Sequence, residues 1–335
     1  MQLITGLAPV PGIFRGAVAA IGNFDGVHRG HQTLLARAEA EARRLGRSWG
    51  VITFEPHPRS HFRPDEPVFR LTPEPLKARL VAALGASFMV VLPFGETLAG
   101  LEADAFVTSH LAERLGVAHV VTGYDFHFGK GRKGSPATMV ELGRKLGFGV
   151  SIVEQVTDEG GPHAPFSSSA IREALRQGHV AGAARALGYH WTVLGEVVKG
   201  DQRGRTIGFP TLNIVLDRGA DPFRGIYAVR VRDAARPGVA AWAGAGYFGD
   251  RPTFQTGRTF LEVYLIGFEG DLYGRELLVE FIDLIRPDRR FDSVAALVSQ
   301  MNADCAEALK RLAAVKAQDP VTGFLLGRLQ AEGRI

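Results

Sequence analysis

The stretch GAVAAIGNFDGVHRGH, residues 16–31, joins a short apolar run to a glycine-rich loop that carries two histidines. A short apolar run bounded by glycine predicts a buried strand, and the amphipathic stretch after it predicts a helix over residues 30–45. The same alternation continues through the first half of the chain, with strand-like runs at 49–54, 88–92, 118–122 and 149–153. Strands that alternate with helices predict a doubly wound α/β domain, in which helices cover both faces of a parallel sheet.

A different pattern begins after a predicted helix over residues 169–177. A chain of 335 residues exceeds one typical core, so we predict two domains, 1–185 and 186–335. Apolar residues recur at helical spacing from Val294 to Leu312, which predicts one long C-terminal helix. Short strand-like runs before it predict a small antiparallel β-barrel or sandwich. These runs are 191–198, 227–232, 239–245, 260–266 and 277–282.

The composition is that of an ordinary globular protein, with 46% hydrophobic and 22% charged residues. A net charge of +4 is too small to indicate nucleic-acid binding. Five basic residues lie near one another along the chain, and a face exposed to solvent explains their charge. These basic residues are Lys130, Arg132, Lys133, Arg144 and Lys145.

Cys305 is the only cysteine, which excludes an intrachain disulfide and suits a reducing compartment. No secretory pattern opens the chain, and no apolar run approaches the roughly 18 residues of a membrane span. We therefore expect a cytoplasmic protein with small-molecule partners and neither nucleic acid nor membrane among them. The sequence leaves open whether the chain forms a homo-oligomer.

The two histidines of the opening stretch, His28 and His31, are three residues apart at the predicted start of a helix. Free backbone N–H groups and the helix dipole favour phosphate at this place, and Gly30 keeps the space between the rings open. Imidazoles there can donate hydrogen bonds to nucleotide phosphates and stabilise charge on a leaving pyrophosphate. The alternatives are two surface histidines or a His-x-x-His metal site. The strand, glycine loop and helix around the pair favour the phosphate site.

Two further segments of the first half carry polar residues near predicted strand ends. Ser168 and Ser169 open a predicted helix, where one hydroxyl is an ordinary N-cap, and Arg172 follows one turn later. With the histidine motif, this arrangement resembles the second phosphate clamp of the HxGH nucleotidylyltransferases. Asp125 follows the fourth predicted strand, where it serves a nucleotide or its metal ion, or belongs to a solvated turn.

The second half contains a glycine-spaced basic loop, in which Gly200, Gly204 and Gly208 surround Arg203 and Arg205. Such a flexible basic loop suits the wrapping of a polyphosphate.

Polar residues also occur on two of the predicted strands of this half. Thr211 and Asn213 alternate with Leu212, which predicts one strand face with a hydroxyl and an amide oxygen able to hold Mg²⁺ and phosphate. Glu262 lies among apolar strand residues, a costly place for an unpaired carboxylate. It is either an edge-strand glutamate facing water or a functional group.

Together these motifs resemble the bacterial bifunctional riboflavin kinase/FAD synthetases, also described as flavokinase/FMN adenylyltransferases. Phe54-Glu55-Pro56-His57-Pro58 is similar to that family, and Pro210-Thr211-Leu212-Asn213 stands where the family carries its PTAN motif. Short motifs at 225–227, 249–253 and 270–274 follow in the family's order. The resemblance spans essentially the whole chain. It implies that the C-terminal domain phosphorylates riboflavin to FMN, and that the N-terminal nucleotidylyltransferase domain adenylylates FMN to FAD, with Mg²⁺ and ATP in both sites.

The resemblance also implies roles for individual residues. His28 and His31 would be catalytic in adenylylation, and Glu262 would accept the ribityl hydroxyl proton. The N-terminal ATP site would contain Gly22, Asn23, Phe24, Asp25, Gly30, Asp125, Ser168, Ser169 and Arg172. The C-terminal ATP site would contain Gly200, Arg203, Gly204, Arg205, Gly208, Pro210, Thr211 and Asn213, with Thr211 and Asn213 on the metal. Flavin would contact Phe54, Pro56, His57, Pro58, Tyr227 and Arg251.

The chain departs from the family's pattern mainly in the predicted kinase domain. Lys199, Tyr247 and Tyr264 stand where the family commonly has His, Asn and His, whereas Ser169 replaces Thr and keeps a hydroxyl. An alternative hypothesis follows from these departures. In it the chain is an FMN adenylyltransferase only, and its C-terminal domain is a non-catalytic flavin-binding or regulatory module.

Overall fold

The computed structural model describes residues 1–66, 68–157, 165–200, 203–249 and 259–335. The chain divides into two compact units. The first contains Met1–Val68 and Lys77–Ser167, and the second contains Phe69–Leu76 and Ser168–Ile335. The chain passes from the first unit to the second at residue 168, and the earlier segment Phe69–Leu76 belongs to the second unit. A domain boundary at residue 185 stays a prediction.

The first unit is built on a six-stranded sheet in which every pairing is parallel. Its strands are β1 (Gln2–Thr5), β2 (Val18–Ile21), β3 (Trp49–Glu55), β4 (Phe88–Pro93), β5 (His119–Gly123) and β6 (Gly149–Val153). Their order is β1-β4-β3-β2-β5-β6. The winding reverses between β2 and β5, and in such sheets ligands bind beyond the carboxyl ends of the strands at this switch point. The doubly wound α/β prediction is confirmed.

Helices connect these strands. They are α1 (Arg29–Leu45), α2 (Pro58–Phe62), α3 (Glu74–Ala83), α4 (Glu96–Ala99), α5 (Ala103–Phe106) and α6 (Pro136–Leu146). Between β4 and β5, α5 is followed directly by a π-helix, Val107–Leu115. Short 3₁₀ turns cover Gly12–Phe14 and Lys130–Arg132. Gly46 ends α1 in the left-handed region, with φ 63°, where a residue without Cβ is favoured.

The second unit is a closed antiparallel barrel in the order β10-β11-β8-β7-β12-β9. Its strands are β7 (Thr192–Val198), β8 (Thr211–Val215), β9 (Gly225–Asp233), β10 (Trp242–Phe248), β11 (Phe260–Leu265) and β12 (Glu276–Pro287). Its helices are α7 (Ser168–Arg176), α8 (Val180–Leu187), α9 (Arg203–Thr206), α10 (Val294–Ala317) and α11 (Leu325–Ala331). The long C-terminal helix is thus confirmed as α10. No helix in the described part of the chain has the length and apolar character needed to cross a membrane.

Side chains on the barrel strands alternate between two faces, as the period of a strand requires. Leu261, Val263 and Val229 are wholly buried on the interior face, and Gly246 leaves room there because its missing Cβ would meet Val229 and Leu261. Glu262 lies between Leu261 and Val263 and therefore points to the outer face. This phase decides which polar residues of the barrel can meet a ligand outside it.

Candidate active sites

The loop after β2, residues 22–28, has a strained backbone at the sheet's switch point. Phe24 and Val27 are wholly buried and have φ values of 49° and 39°. A non-glycine residue in this region costs on the order of 1–3 kcal/mol, so other contacts must hold the loop. The Thr53 hydroxyl donates to the Asn23 carbonyl at 3.1 Å, and Gln32 Nε2 donates to the Val27 carbonyl at 2.8 Å. The loop thus begins and ends on anchored carbonyl groups.

The two histidines lie together at the N-terminus of α1. His28 is the N-cap, and its Nδ1 accepts a hydrogen bond from the His31 backbone N–H at 3.4 Å. In the neutral ring this acceptor role leaves the proton on Nε2, which can donate to a ligand. The rings stack with centroids 3.7 Å apart, and a Cβ at Gly30 would lie 3.2 Å from His28 Nδ1. Glycine at this position keeps the stack undisturbed.

His31 is held neutral by its surroundings. Its pKa lies well below the ordinary value, first because burial removes water from the ring and then because of the charges of His28 and Lys77. Its Nδ1 is buried without a hydrogen-bond partner among the residues the structure describes. Buried polar atoms are rarely left unpaired, so an orphaned ring nitrogen at a helix N-terminus suits a polar ligand such as phosphate.

The other predicted nucleotide residues of the first half fall into two groups. Asp125 follows β5, the neighbour of β2, and therefore lies at the same edge of the sheet as the 22–28 loop. Asp25 is buried within that loop. Ser168 and Arg172 belong to α7 in the second unit, where Arg172 Nε donates to the Phe69 carbonyl at 2.6 Å. A phosphate-binding role for Ser168, Ser169 and Arg172 stays a prediction.

An aromatic cluster lies next to the loop that follows β3. Phe54 contacts Phe94 and Phe106 with ring centroids 6.1 Å and 6.4 Å apart, and Phe62 of α2 contacts Phe94 at 5.9 Å. Phe62 is 67% exposed, unusual for so large an apolar side chain. Sequence reasoning identified Phe54 alone, because residues so far apart along the chain share no local pattern. His57 of the predicted flavin segment caps α2, where its Nδ1 accepts from the Arg59 N–H.

On the barrel, strand register brings the predicted kinase residues together. Asn213 pairs with Glu262 across β8 and β11, and Glu262 pairs with Tyr247 across β11 and β10. Thr211 pairs with Tyr264 one step along the same face. Residues directly opposite on adjacent strands have neighbouring side chains. The structure thus gathers the carboxylate, the amide and the hydroxyl on the outer face of the barrel.

Two glycines before β8, Gly200 and Gly204, lie close to this outer face. A Cβ at Gly200 would lie 2.3 Å from Asn213 Nδ2, and a Cβ at Gly204 would lie 3.5 Å from Thr211 Oγ1. Asn213 and Glu262 are consequently only 6% and 8% exposed. Asn213 Oδ1 is buried and, within the described ranges, has no hydrogen-bond partner. A buried oxygen without a donor fits Mg²⁺, which prefers oxygen ligands.

The remaining predicted residues of the barrel have different placements. Arg205 is exposed, and its Nη2 donates to the Tyr273 hydroxyl at 3.4 Å. Gly208 has φ 86° in the turn before Pro210. Arg203 begins α9, and Arg251 lies outside the described residues.

Tyr227 lies on the interior face of the barrel and is fully buried. Its hydroxyl donates to the Phe223 carbonyl, and its ring contacts Phe281 with centroids 4.9 Å apart. Burial also raises the pKa of the phenol above its ordinary value. A core position with an occupied hydroxyl does not support the predicted flavin contact, and we remove Tyr227 from that set.

The three departures in the predicted kinase domain each have a defined neighbour. The Tyr247 hydroxyl donates to Asp288 Oδ2 at 3.0 Å. Tyr264 packs edge-on against Phe209 with centroids 5.0 Å apart, and the Lys199 ammonium lies 5.8 Å from the Tyr273 ring centre. Because Tyr247 and Tyr264 share the outer face with Glu262, they form part of this site's wall.

Comparison with known proteins follows the division seen in the structure. Residues 11–169 match the sequence model of the FAD synthetase family, and residues 187–312 match that of the riboflavin kinase family. The chain is therefore a transferase that combines an FAD synthetase domain with a riboflavin kinase domain. It belongs to the bifunctional riboflavin kinase/FMN adenylyltransferase family, as its relatives establish.

Three relatives carry the description bifunctional riboflavin kinase/FMN adenylyltransferase. The protein of Pseudomonas fluorescens is 39% identical over 318 residues, covering 95% of this chain and 99% of its own. The protein of Escherichia coli strain K12 is 39% identical over 86% of this chain and 90% of its own. That of Bacillus subtilis strain 168 is 36% identical over 88% and 92%. A crystal structure described as a macrolide-efflux protein from Streptococcus pneumoniae is also similar, with a TM-score of 0.76 and 30% identity over 91% of this chain and 97% of that one.

Proposed function

We propose that this chain makes FAD from riboflavin in two ATP-dependent steps, one in each unit. The second unit phosphorylates riboflavin to FMN and releases ADP, and the first adenylylates FMN to FAD and releases pyrophosphate. Two features support the proposal: His28 and His31 stack in the first unit, and Asn213 pairs with Glu262 across β8 and β11 in the second. Relatives similar over both units support two activities rather than a non-catalytic second unit.

In the first unit, the FMN phosphate attacks the α-phosphorus of ATP in line, and the bond to pyrophosphate breaks without a covalent enzyme intermediate. His28 Nε2–H and the neutral His31 ring donate to phosphate oxygens, where the N-terminus of α1 adds its positive dipole end. Asn23 and Asp125 position the nucleotide from the two neighbouring strand ends. The β- and γ-phosphates would be bound by Ser168, Ser169 and Arg172.

The flavin ring of FMN would bind in the same unit, against the aromatic cluster around Phe54. A flat aromatic ring gains most from stacking on aromatic side chains, and Phe62 exposes such a surface. Pro56, His57 and Pro58 line the turn that leads from Phe54 to this surface.

In the second unit, Glu262 accepts the proton of the ribityl hydroxyl as the new oxygen–phosphorus bond forms and the bond to ADP breaks. Its position directly across from Asn213 supports this role. Asn213 Oδ1 and Thr211 Oγ1 would hold Mg²⁺, which supplies charge neutralisation on the ATP phosphates when bound. Arg203 and Arg205, which lie between Gly200 and Gly208, would bind the polyphosphate.

We also propose that the partners are riboflavin, FMN and ATP, and that the protein works in the cytoplasm. Cys305, the one cysteine of the sequence, suits that reducing compartment. No nucleic-acid partner is needed to explain the mild positive charge.

The two assignments can be tested separately in one protein. Glu262→Gln should lower FMN formation by about a hundredfold or more while FAD formation from added FMN continues. His31→Ala should do the reverse, with a loss of about a hundredfold in pyrophosphate release from FMN and MgATP. Chromatography of riboflavin, FMN and FAD over time reports both reactions. No pyrophosphate release by folded wild-type protein would refute the adenylyl transfer, and no FMN formation would make the adenylyltransferase-only alternative correct.

A further inference from the structure

Lys77, in α3, is buried beneath the first unit's site. It is 3% exposed, whereas lysine is almost never fully buried unless it is paired. Its Nζ lies 3.0 Å from Glu55 Oε1 and 3.3 Å from Thr53 Oγ1. Neither the motifs nor the proposed mechanism assigns a function to these three side chains.

The hydrogen bonds continue from Lys77 to the 22–28 loop. Thr53 is fully buried, and its hydroxyl donates to the Asn23 carbonyl at 3.1 Å. An ammonium group only donates and a carbonyl only accepts, so every proton in this series has one direction. We call Glu55, Lys77, Thr53 and Asn23 the Lys77 network. The positive charge polarises the Thr53 hydroxyl and strengthens its bond to Asn23.

The Asn23 carbonyl is a sensitive place to anchor. A trans peptide is planar, so fixing the Asn23 oxygen also fixes the opposite direction of the Phe24 N–H. This peptide opens the strained loop in which Phe24 and Val27 have positive φ. Strained conformations persist only where the surroundings hold them. The network therefore maintains the loop geometry on which His28 and His31 depend.

The other end of the network reaches the flavin side. Glu55 is the last residue of β3 and leads into the Pro56–Pro58 turn, next to the aromatic cluster. The network thus joins the ends of two neighbouring strands, and the proposed function gives these ends to two different substrates. ATP lies against the loop after β2, and FMN lies against the loop after β3.

We propose that Lys77 is a positioning residue for adenylyl transfer. Through Thr53 and Glu55 it holds the 22–28 loop in a fixed position relative to the Pro56–Pro58 turn, where FMN binds. The inference rests on the proposed function of the first unit. Loss of the network lets the loop relax, so that ATP binds more weakly and its α-phosphorus is no longer aligned with the FMN phosphate. A misalignment of about 1 Å at a reacting atom is enough to cost on the order of a hundredfold in rate.

The test compares variants of Thr53 and Lys77 in the full chain. Thr53→Val removes the hydroxyl and keeps the shape, Thr53→Ser keeps the hydroxyl, and Lys77→Met removes the charge. Thr122→Val is the matched control, because Thr122 is an equally buried strand threonine whose hydroxyl has no partner in the described structure. Pyrophosphate release from FMN and MgATP by the wild type comes first and tests the underlying function by itself.

We expect T53V and K77M to raise the KM for ATP and to lower kcat/KM for adenylylation by about tenfold to a hundredfold, the equivalent of a charge-assisted hydrogen bond. T53S should restore most of the loss in T53V, and T122V should stay near the wild type. Fewer folded molecules would lower apparent kcat without changing KM. An unchanged KM for ATP in T53V, or equal losses in T53V and T122V, would overturn the proposal even if K77M fails to fold.

Discussion

Replacing Gly200 by alanine should disable riboflavin phosphorylation while the fold survives. A Cβ at this position would lie 2.3 Å from Asn213 Nδ2 and 2.7 Å from its Cγ, and ordinary contact begins near 3.4 Å. The three nearest heavy atoms all belong to the Asn213 side chain, so the amide moves rather than the backbone. It must move by about 1 Å, which carries Oδ1 away from the proposed Mg²⁺ position and costs on the order of a hundredfold in rate.

The assay measures kcat/KM for FMN formation from riboflavin and MgATP, with FAD formation from added FMN as the control within the same molecule. Gly323→Ala is the matched variant in the same unit, because a Cβ there would meet no described atom within 4 Å. A titration with Mg²⁺ adds a second readout, since a displaced ligand raises the concentration needed for half-maximal rate. Riboflavin phosphorylation by G200A within twofold of the G323A rate would refute the reasoning.

Two further predictions concern stability. The pKa values of His31, His110 and His119 are held below the ordinary 6.5, in each case first by burial, so the unfolded chain takes up protons before the folded protein does. These histidines therefore do not lower the free energy of unfolding above about pH 6.5. Below that pH the free energy of unfolding falls, by at most about 1.4 kcal/mol per pH unit for each histidine. Equal melting temperatures of the first unit at pH 7.5 and 5.5 would contradict this. Tyr227→Phe leaves the Phe223 carbonyl without its donor inside the barrel, so denaturant melts should show a loss of about 1–3 kcal/mol with an unchanged KM for riboflavin. A raised KM with unchanged stability would instead return Tyr227 to the flavin site.

Local sequence patterns predicted most of the elements, and their failures have physical causes. The stretch between Gly178 and Gly188 has the glycines of a linker, yet it contains α8, whose buried Val180 and Leu187 gain their stability from packing. Local patterns do not predict the short strand β1 either, because Gln2–Thr5 has little apolar pattern of its own and forms a strand by pairing with β4. Such elements depend on tertiary contacts, which the intrinsic helix and strand propensities of the residues do not predict.

Tyr227 shows the same limit for a site residue. The order of the family's motifs indicated a flavin contact, whereas the phase of β9 places the ring inside the barrel. A shift of one residue along a strand exchanges the two faces, and only pairing with neighbours fixes which face is buried.

Local sequence alone predicts a phosphate site at His28 and His31, because a strand end, a glycine loop and a helix N-terminus are made from contiguous residues and depend on local geometry. It also indicated the second site's residue types. Strand pairing in the folded chain places Asn213 and Glu262 directly opposite each other. Packing brings Phe62 to the aromatic cluster and connects Lys77 to the 22–28 loop through Thr53. Strand register, side-chain phase and burial produce these contacts, and they join residues that are far apart along the chain.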